Sequence, residues 1–306
     1  MTRRIAVLMG GVSAERDVSL DSGTQCAAAL REVGYAVDEI DVTADIGALL
    51  AALDPAPDAA FNALHGRYGE DGCIQGLLNL LRIPYTHSGL LASALAMDKV
   101  AARAIFTAQG IGIADAIVAT PQDVQAGDVM ERPYVVKPIN EGSSVGVHIV
   151  FDGDDRPALD DIADTPAQLL VERYIPGREL TVAVMGAASY EPRPLAVTEL
   201  RPAAGFYDYE AKYTDGKTEH LIPAPVSPEI YDRAMSWAAT AHRSLGCRGV
   251  SRSDLRYDDK TEELVMLEVN TQPGMTQLSL VPEQAAHEGI AFTQLVDWLV
   301  ETAQCD

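Results

Sequence analysis

The chain is short of positive charge. Its 306 residues carry 23 lysines and arginines against 45 aspartates and glutamates, for a net charge of −22. Such a field repels phosphate polymers and anionic lipid, which disfavours nucleic-acid and membrane binding, although a local cationic pocket can still hold a small anion. Cysteine is scarce as well: Cys26, Cys73, Cys247 and Cys305 are far apart, and no C-x-x-C pair exists. That excludes a disulfide framework and a zinc-finger-type site, and leaves the reduced thiols expected of a cytoplasmic protein. Long apolar runs are also missing. None approaches the roughly 20 residues of a membrane-spanning helix. The run 5–9 behind Arg3 and Arg4 is five residues, below the roughly 7–15 of a signal-peptide core. It reads as a buried first strand.

What is present is ordinary soluble composition, 47% hydrophobic and 22% charged, in a chain long enough for two or three domains. Apolar runs at 4–9, 35–42 and 58–64 alternate with helical stretches near 17–33, 45–53 and 73–82. Short strands separated by helices imply an α/β unit with a wound parallel sheet, in which ligands gather at the strands' C-terminal ends. A long helix over about 90–109 leads out of it. Strands at 133–138, 145–150, 168–175 and 179–185 have a more antiparallel, α+β character. The stretch 201–226 lacks periodicity and reads as a long loop, functional or disordered. A helix (227–245), strands at 249–257 and 263–270, and a closing helix near 290–302 complete the chain. The expected divisions are 1–92, 93–178 and 179–306.

Three features carry chemistry. Lys137 ends a strand and is followed by Pro-Ile-Asn-Glu-Gly-Ser-Ser-Val-Gly146, whose glycines, amides and hydroxyls suit an anion cradle. A plain hairpin turn is the alternative, and no G-K-[ST] opens a helix, so this is no Walker motif. Next, Arg252 and Asp254 lie two apart on one strand, and Glu268 and Asn270 on another, so each pair shares a sheet face. Two carboxylates and an amide oxygen suit a hard cation such as magnesium. A solvated face with salt bridges is the alternative, but Glu268 sits among Val265, Met266, Leu267 and Val269, where an acid needs a partner. Finally, the chain uses only five lysines. Lys99, Lys137 and Lys212 fall in Met97–Lys99, the Lys137 loop and Tyr207–Tyr213, where a retained lysine suits a site wanting a compact point charge. Plain sampling among five residues is the alternative.

Together these motifs resemble the ATP-grasp ligases, and within them the D-alanine:D-alanine ligase family. The similarity runs from Gly10–Ser19 through Leu64–Gly72, Ala96–Lys99, Lys137-Pro138, Glu141–Gly146 and Phe206–Tyr213 to Glu268–Thr276. It implies an ATP-grasp fold and a ligase that activates one D-alanine as an acyl phosphate for attack by the amine of a second. Lys99, Lys137, Ser143 and Ser144 would hold ATP phosphates. Glu172, Arg173, Tyr174, Ile175 and Leu267 would line the adenine, with Glu179 at the ribose. Asp254, Glu268 and Asn270 would bind two magnesium ions, with manganese as a substitute. Glu15, His65, Glu70 and Tyr207 would meet D-alanine, and Glu15, Ser143 and Tyr213 would lock the 206–213 loop over the site. Arg252 and the Gly274 amide would form an oxyanion hole. Ser279 and Leu280, helped by Lys212, would receive the second carboxylate. A homodimer is expected. Arg173 replaces a common lysine, and Ser251 and Ser253 flank Arg252 unusually.

Read singly, Glu15 is an acid at a helix N-terminus and Ser279 a helix N-cap. The resemblance leaves rivals. One is a D-alanine:D-lactate ligase, against which Tyr213 argues; another is an ATP-binding protein without turnover. A nicotinamide-dependent oxidoreductase lacks its G-x-G-x-x-G.

Overall fold

The computed structural model describes residues 2–142, 146–155, 168–187, 191–202 and 218–306. Ser143, Ser144, Tyr207, Lys212 and Tyr213 lie outside them.

The first layer is a parallel sheet of β1 (Arg4–Gly10), β2 (Ala36–Val42) and β3 (Ala59–Asn62), in the order β2-β1-β3. Helices α1 (Arg16–Glu32), α2 (Ile46–Ala52) and α3 (Cys73–Leu81) complete it. Ile5, Ala6, Val7 and Leu8 are all fully buried, as a central parallel strand covered on both faces must be. The expected first strand is there, at the centre of the sheet.

The expected long helix is two helices, α4 (Leu90–Met97) and α5 (Lys99–Ala108). Asp98 ends the first with extended backbone and caps the second, its carboxylate accepting from the Val100 and Ala101 amides at 3.0 and 2.9 Å. An aspartate in that role satisfies amides that the first helical turn otherwise leaves bare. The break makes Lys99 the first residue of a new helix, at the edge of the cleft described below.

Strands β4 (Ala116–Ala119), β5 (Tyr134–Pro138), β6 (His148–Val150) and β7 (Leu169–Arg173) form an antiparallel sheet in the order β4-β7-β5-β6, with the short α6 (Pro121–Ala126) beside it. A second antiparallel sheet, β10-β9-β8-β11-β12, is built from β8 (Arg178–Gly186), β9 (Arg193–Pro202), β10 (Thr218–Leu221), β11 (Gly249–Asp258) and β12 (Glu263–Asn270). Its helices are α7 (Pro228–Leu245), α8 (Leu280–His287) and α9 (Phe292–Glu301). The stretch read as a loop over 201–226 therefore contains the end of β9 and all of β10. α9 bridges the layers: Leu295, Val296, Leu299 and Val300 share one core with Ile5, Val7, Leu30 and Phe61 of the first layer and with Ala183, Leu195 and Val250 of the second sheet. Among the described residues no helix is long and apolar enough to cross a membrane.

α8 is fixed to the second sheet by a fully buried glutamine. Gln284 Oε1 accepts from the Ala183 amide at 2.8 Å, and Nε2 donates to the Thr181 carbonyl and the Thr198 hydroxyl, each at 3.1 Å. These bonds fall where the β8–β9 register slips between Val182 and Val184. Gln284→Leu should leave those buried groups bare and cost about 1–3 kcal/mol. Urea unfolding at unchanged slope measures it; an unchanged midpoint would remove this role.

Candidate active site

One cleft gathers side chains from α5, β5, β7, β8, β11 and β12. Lys99, Lys137, Glu172, Arg173, Tyr174, Ile175, Glu179, Asp254, Leu267 and Glu268 all line it, with Ala114, Val135, Val147 and Ile149 as apolar wall. Charged groups together with an aliphatic wall suit a ligand with a charged tail and a planar ring. Lys137 Nζ reaches Glu172 Oε1 at 2.5 Å, and Arg103 Nη1 meets Glu172 Oε2 at 3.1 Å, all three largely buried. Glu172 is thus an anion shared between two cations. Lys99 Nζ donates to the Glu141 carbonyl at 2.5 Å. Burial lowers the pKa of its ammonium, and Glu268 works against that. Arg173 lines the cleft while its guanidinium pairs with Glu263 at 2.6 Å.

The acids meet by register. β11 and β12 pair so that Asp254 stands opposite Glu268 and Arg252 opposite Asn270, with an irregularity just after Asp254. The two-residue spacing within each strand and this pairing put all four side chains on one sheet face. Arg252 grips Asp254 with two bonds, Nε to Oδ1 at 2.8 Å and Nη2 to Oδ2 at 2.7 Å. Thr181, opposite Asp254 on β8, donates to Oδ1 at 2.8 Å. Asn270 Oδ1 accepts from the Gln272 amide at 2.7 Å. Among the described residues no three His, Cys, Asp or Glu side chains converge as a self-sufficient metal site. Two carboxylates and an amide oxygen beside buried lysines nevertheless fit magnesium, which takes few protein ligands and completes its shell with water and phosphate.

A second acidic group adjoins the first. Glu15 and Glu70 are buried. A methyl added at Gly142 would lie 3.2 Å from Glu70 Oε1 and 3.7 Å from Glu15 Oε2, and one at Gly66 would lie 3.0 Å from Glu15 Oε2. Gly142 thus carries the start of the glycine-serine loop directly onto both acids. Glu15 occupies the N-cap position of α1 without capping it, so the dipole-only reading does not account for its burial. His65 Nδ1 lies 3.1 Å from the Gln272 carbonyl and 4.0 Å from Glu70 Oε2, and burial lowers its pKa. Burial first, then the charges of Glu15 and Glu268, hold the Glu70 carboxyl well above the usual glutamate range.

A raised folded pKa stabilises fully below the unfolded value and loses that contribution as pH rises through the folded one. The native chain should therefore lose stability relative to Glu70→Gln as pH rises from the ordinary glutamate range. Melting both at about pH 5 and about pH 8 tests this; a difference independent of pH would contradict it.

At the far end, a methyl on Gly274 would come 3.0 Å from Ser279 Oγ. Ser279 is at the N-cap position of α8, yet its hydroxyl turns back to the Thr276 amide at 3.1 Å and the Thr276 hydroxyl at 2.9 Å. It makes no side-chain cap, and the first amides of α8 remain available to a carboxylate.

The cleft, the acid face and the Glu15–Glu70 group thus bring together the expected residues from Lys99 to Glu268 that the structure describes. Tyr207, Lys212, Tyr213, Ser143 and Ser144 are not among these. Sequence reasoning missed Arg103, Thr181 and Arg256. Thr181 is recognisable only from the β8–β11 register. Arg256 lies two residues beyond Asp254 on the same strand, a signal that was available. Its guanidinium lies 5.7 Å from the Tyr174 ring centre and bonds the Ile175 carbonyl at 3.2 Å and Glu179 at 3.4 Å.

A parallel-sheet layer followed by two antiparallel sheets, with a lysine-lined cleft between their strands and a paired-acid face at its end, is the ATP-grasp architecture. Residues 106–301 match the model of the D-ala D-ala ligase C-terminus, and residues 47–88 that of the N-terminus. D-alanine–D-alanine ligase of Acidiphilium cryptum is 58% identical over 306 residues, covering 99% of each chain. That of Paramagnetospirillum magneticum is 56% identical over 311 residues, covering 100% of each. Among solved structures, D-alanine–D-alanine ligase of Bacillus anthracis complexed with ATP superposes with a TM-score of 0.79 at 32% identity, over 98% of this chain and 97% of that one. VanG D-Ala:D-Ser ligase of Enterococcus faecalis gives 0.81 at 28%, over 99% of each. The chain belongs to the D-alanine–D-alanine ligase family.

Proposed function

We propose that this ligase joins two D-alanines at the cleft, with ATP as the activating substrate and magnesium bound by Asp254, Glu268 and Asn270. The observation that carries the reading is the continuity of three features. The lysine cleft leads to the Asp254–Glu268 pair, and Gly142 links the cleft's loop to buried Glu15 and Glu70. Bound magnesium would neutralise phosphate charge and align the reacting phosphoryl group.

Lys99 and Lys137 hold the phosphate tail, and the apolar wall with Tyr174, Ile175 and Leu267 takes the ring. Glu15, with His65 and Glu70, holds the first D-alanine by its ammonium, leaving the carboxylate to attack the γ-phosphorus. The phosphoanhydride bond breaks, and ADP and an acyl phosphate form. The second D-alanine, its carboxylate at Ser279 and the α8 amides, presents a neutral amine to the activated carbonyl. Arg252 and the Gly274 amide take the oxyanion, and phosphate leaves as the peptide bond closes. The 206–213 loop, locked through Glu15, Ser143 and Tyr213, would exclude water from the acyl phosphate; Lys212 would help hold the second carboxylate.

We assign the product to peptidoglycan precursor synthesis and the protein to the cytoplasm, consistent with four free cysteines. We further propose a homodimer. Leu80 on α3 and Leu91 on α4 are 84% and 66% exposed on adjoining helices, apolar surface that a second copy would cover. The divisions at 92 and 178 remain our reading of the domains. The test is phosphate release with ATP and magnesium, offering D-alanine alone or with D-serine or D-lactate. Release with D-alanine alone, and D-alanyl-D-alanine as product, is expected; a D-lactate ester near neutral pH would replace this reading with the depsipeptide one.

A further inference from the structure

Behind the substrate acids lies a polar network that no step above uses, centred on Gln272. This residue is 1% exposed and lies two positions beyond Asn270, where β12 has ended. Both ends of its amide are occupied. Nε2 donates to the Asn62 carbonyl and to His87 Nδ1 at 3.2 Å, and Oε1 accepts from Asn62 Nδ2 at 3.2 Å. His87 is a competent acceptor because burial pushes its pKa down to about 3, leaving the ring neutral. The Thr86 hydroxyl lies 2.9 Å from the same ring nitrogen and accepts from the Asn62 amide. The Asn62 side chain continues to the Gly69 carbonyl at 2.9 Å, as does Gln75 at 3.0 Å. Gly69 is the residue before Glu70.

The backbone at 272 is thereby pinned to β3, and it has two further contacts. Its amide donates to Asn270 Oδ1, and its carbonyl faces His65 Nδ1 at 3.1 Å. A carbonyl only accepts, so the neutral imidazole must carry its proton on Nδ1. His65 Nε2 is then a buried acceptor with no protein partner among the described residues.

We propose that Gln272 is a positioning residue for the first amino-acid site: it holds the 65–70 loop against the end of β12 and fixes His65 as the Nδ1-protonated tautomer, with Nε2 free to accept from the bound amino acid. The proposal rests on the reading that His65 meets D-alanine. Glutamine is required by its two-ended chemistry. Methionine would leave the Asn62 carbonyl bare, and glutamate would set an oxygen against it.

Gln272→Met and Gln272→Glu should raise the KM for the first D-alanine by about 5–30-fold, the worth of one or two hydrogen bonds. The KM for ATP should stay within about twofold, because each variant keeps the backbone amide that bonds Asn270 and leaves the cleft lysines untouched. A lower melting temperature with both KM values unchanged would reduce Gln272 to a structural residue and overturn the proposal. Nitrogen-15 spectra of histidine-labelled native chain provide a test that no variant's folding can obscure, with His65 assigned by its loss in His65→Asn. Protonated Nδ1 and bare Nε2 are expected; the opposite tautomer overturns the proposal. A native D-alanine KM in His65→Asn would overturn the placement of His65 at the substrate, a failure distinct from a wrong tautomer.

Discussion

Arg252→Met is expected to lower turnover by about 10²–10³, the usual loss when one donor to a developing oxyanion is removed. Methionine keeps the length of the side chain and discards charge and donors together. Arg252 is held by its two bonds to Asp254 on the face that also presents Glu268 and Asn270, so its guanidinium is fixed beside the reacting groups before substrate arrives. The KM for ATP should change much less than kcat if, as proposed, the nucleotide's phosphates rest on Lys99 and Lys137. Arg252→Lys should recover only part of the loss, because a point charge cannot reproduce the planar fork. Phosphate release under saturating substrates measures the effect, and a thermal melt controls for the Asp254 carboxylate left with Thr181. Turnover within about threefold of the native value would remove Arg252 from the oxyanion site.

Glu268→Gln should be as severe, through the metal. The variant keeps shape and one oxygen but removes half of the carboxylate charge that Asp254 and Glu268 place opposite each other. Loss of an outer-shell partner alone costs metal affinity roughly 10–100-fold, and loss of a direct ligand should exceed that. Glu268 is also among the charges that raise the Glu70 carboxyl and that support the Lys99 ammonium. The same substitution should therefore bring the Glu70 pKa down and lower that of Lys99 further. Magnesium titration by calorimetry with a non-hydrolysable ATP analogue reads the first effect. Native magnesium affinity would sink the ligand assignment.

Much of this site was legible because strand periodicity is a local property. Spacing of two on β11 and on β12 put Arg252 with Asp254 and Glu268 with Asn270 on shared faces, and the structure keeps both pairs. What spacing cannot supply is the partner across the sheet. The opposition of Asp254 to Glu268, and of Thr181 to Asp254, depends on register between strands far apart in sequence. The helix break at Asp98 was hidden for a related reason: within Ala96-Met-Asp-Lys99 an aspartate that caps a helix has the same local sequence as one on a helix surface. β9 and β10 were obscured where their residues are charged, since Arg201, Glu219 and His220 carry no apolar alternation. Glu172 shows the limit of reading by position. Its place on the adenine side of the cleft was expected, but its role as the shared anion of Lys137 and Arg103 depends on a helix more than 60 residues earlier. Gln272 had no signal at all, because a glutamine in a loop looks generic until both ends of its amide are found occupied.

The core shared by β1, α1 and α9 bears on the order in which the chain matures. As the polypeptide emerges during synthesis, the first sheet and α1 are made early, yet the core they share is not completed until Leu295, Val296, Leu299 and Val300 follow. Until then part of the apolar surface around Ile5, Val7 and Phe61 lacks its last partners. Nascent chains of this kind are sticky and slow to commit, since closing them joins distant parts of the sequence. Ribosome-stalled chains ending before α9 should therefore be held by chaperones and cut readily by protease, and resistance should arrive abruptly once the helix clears the exit tunnel.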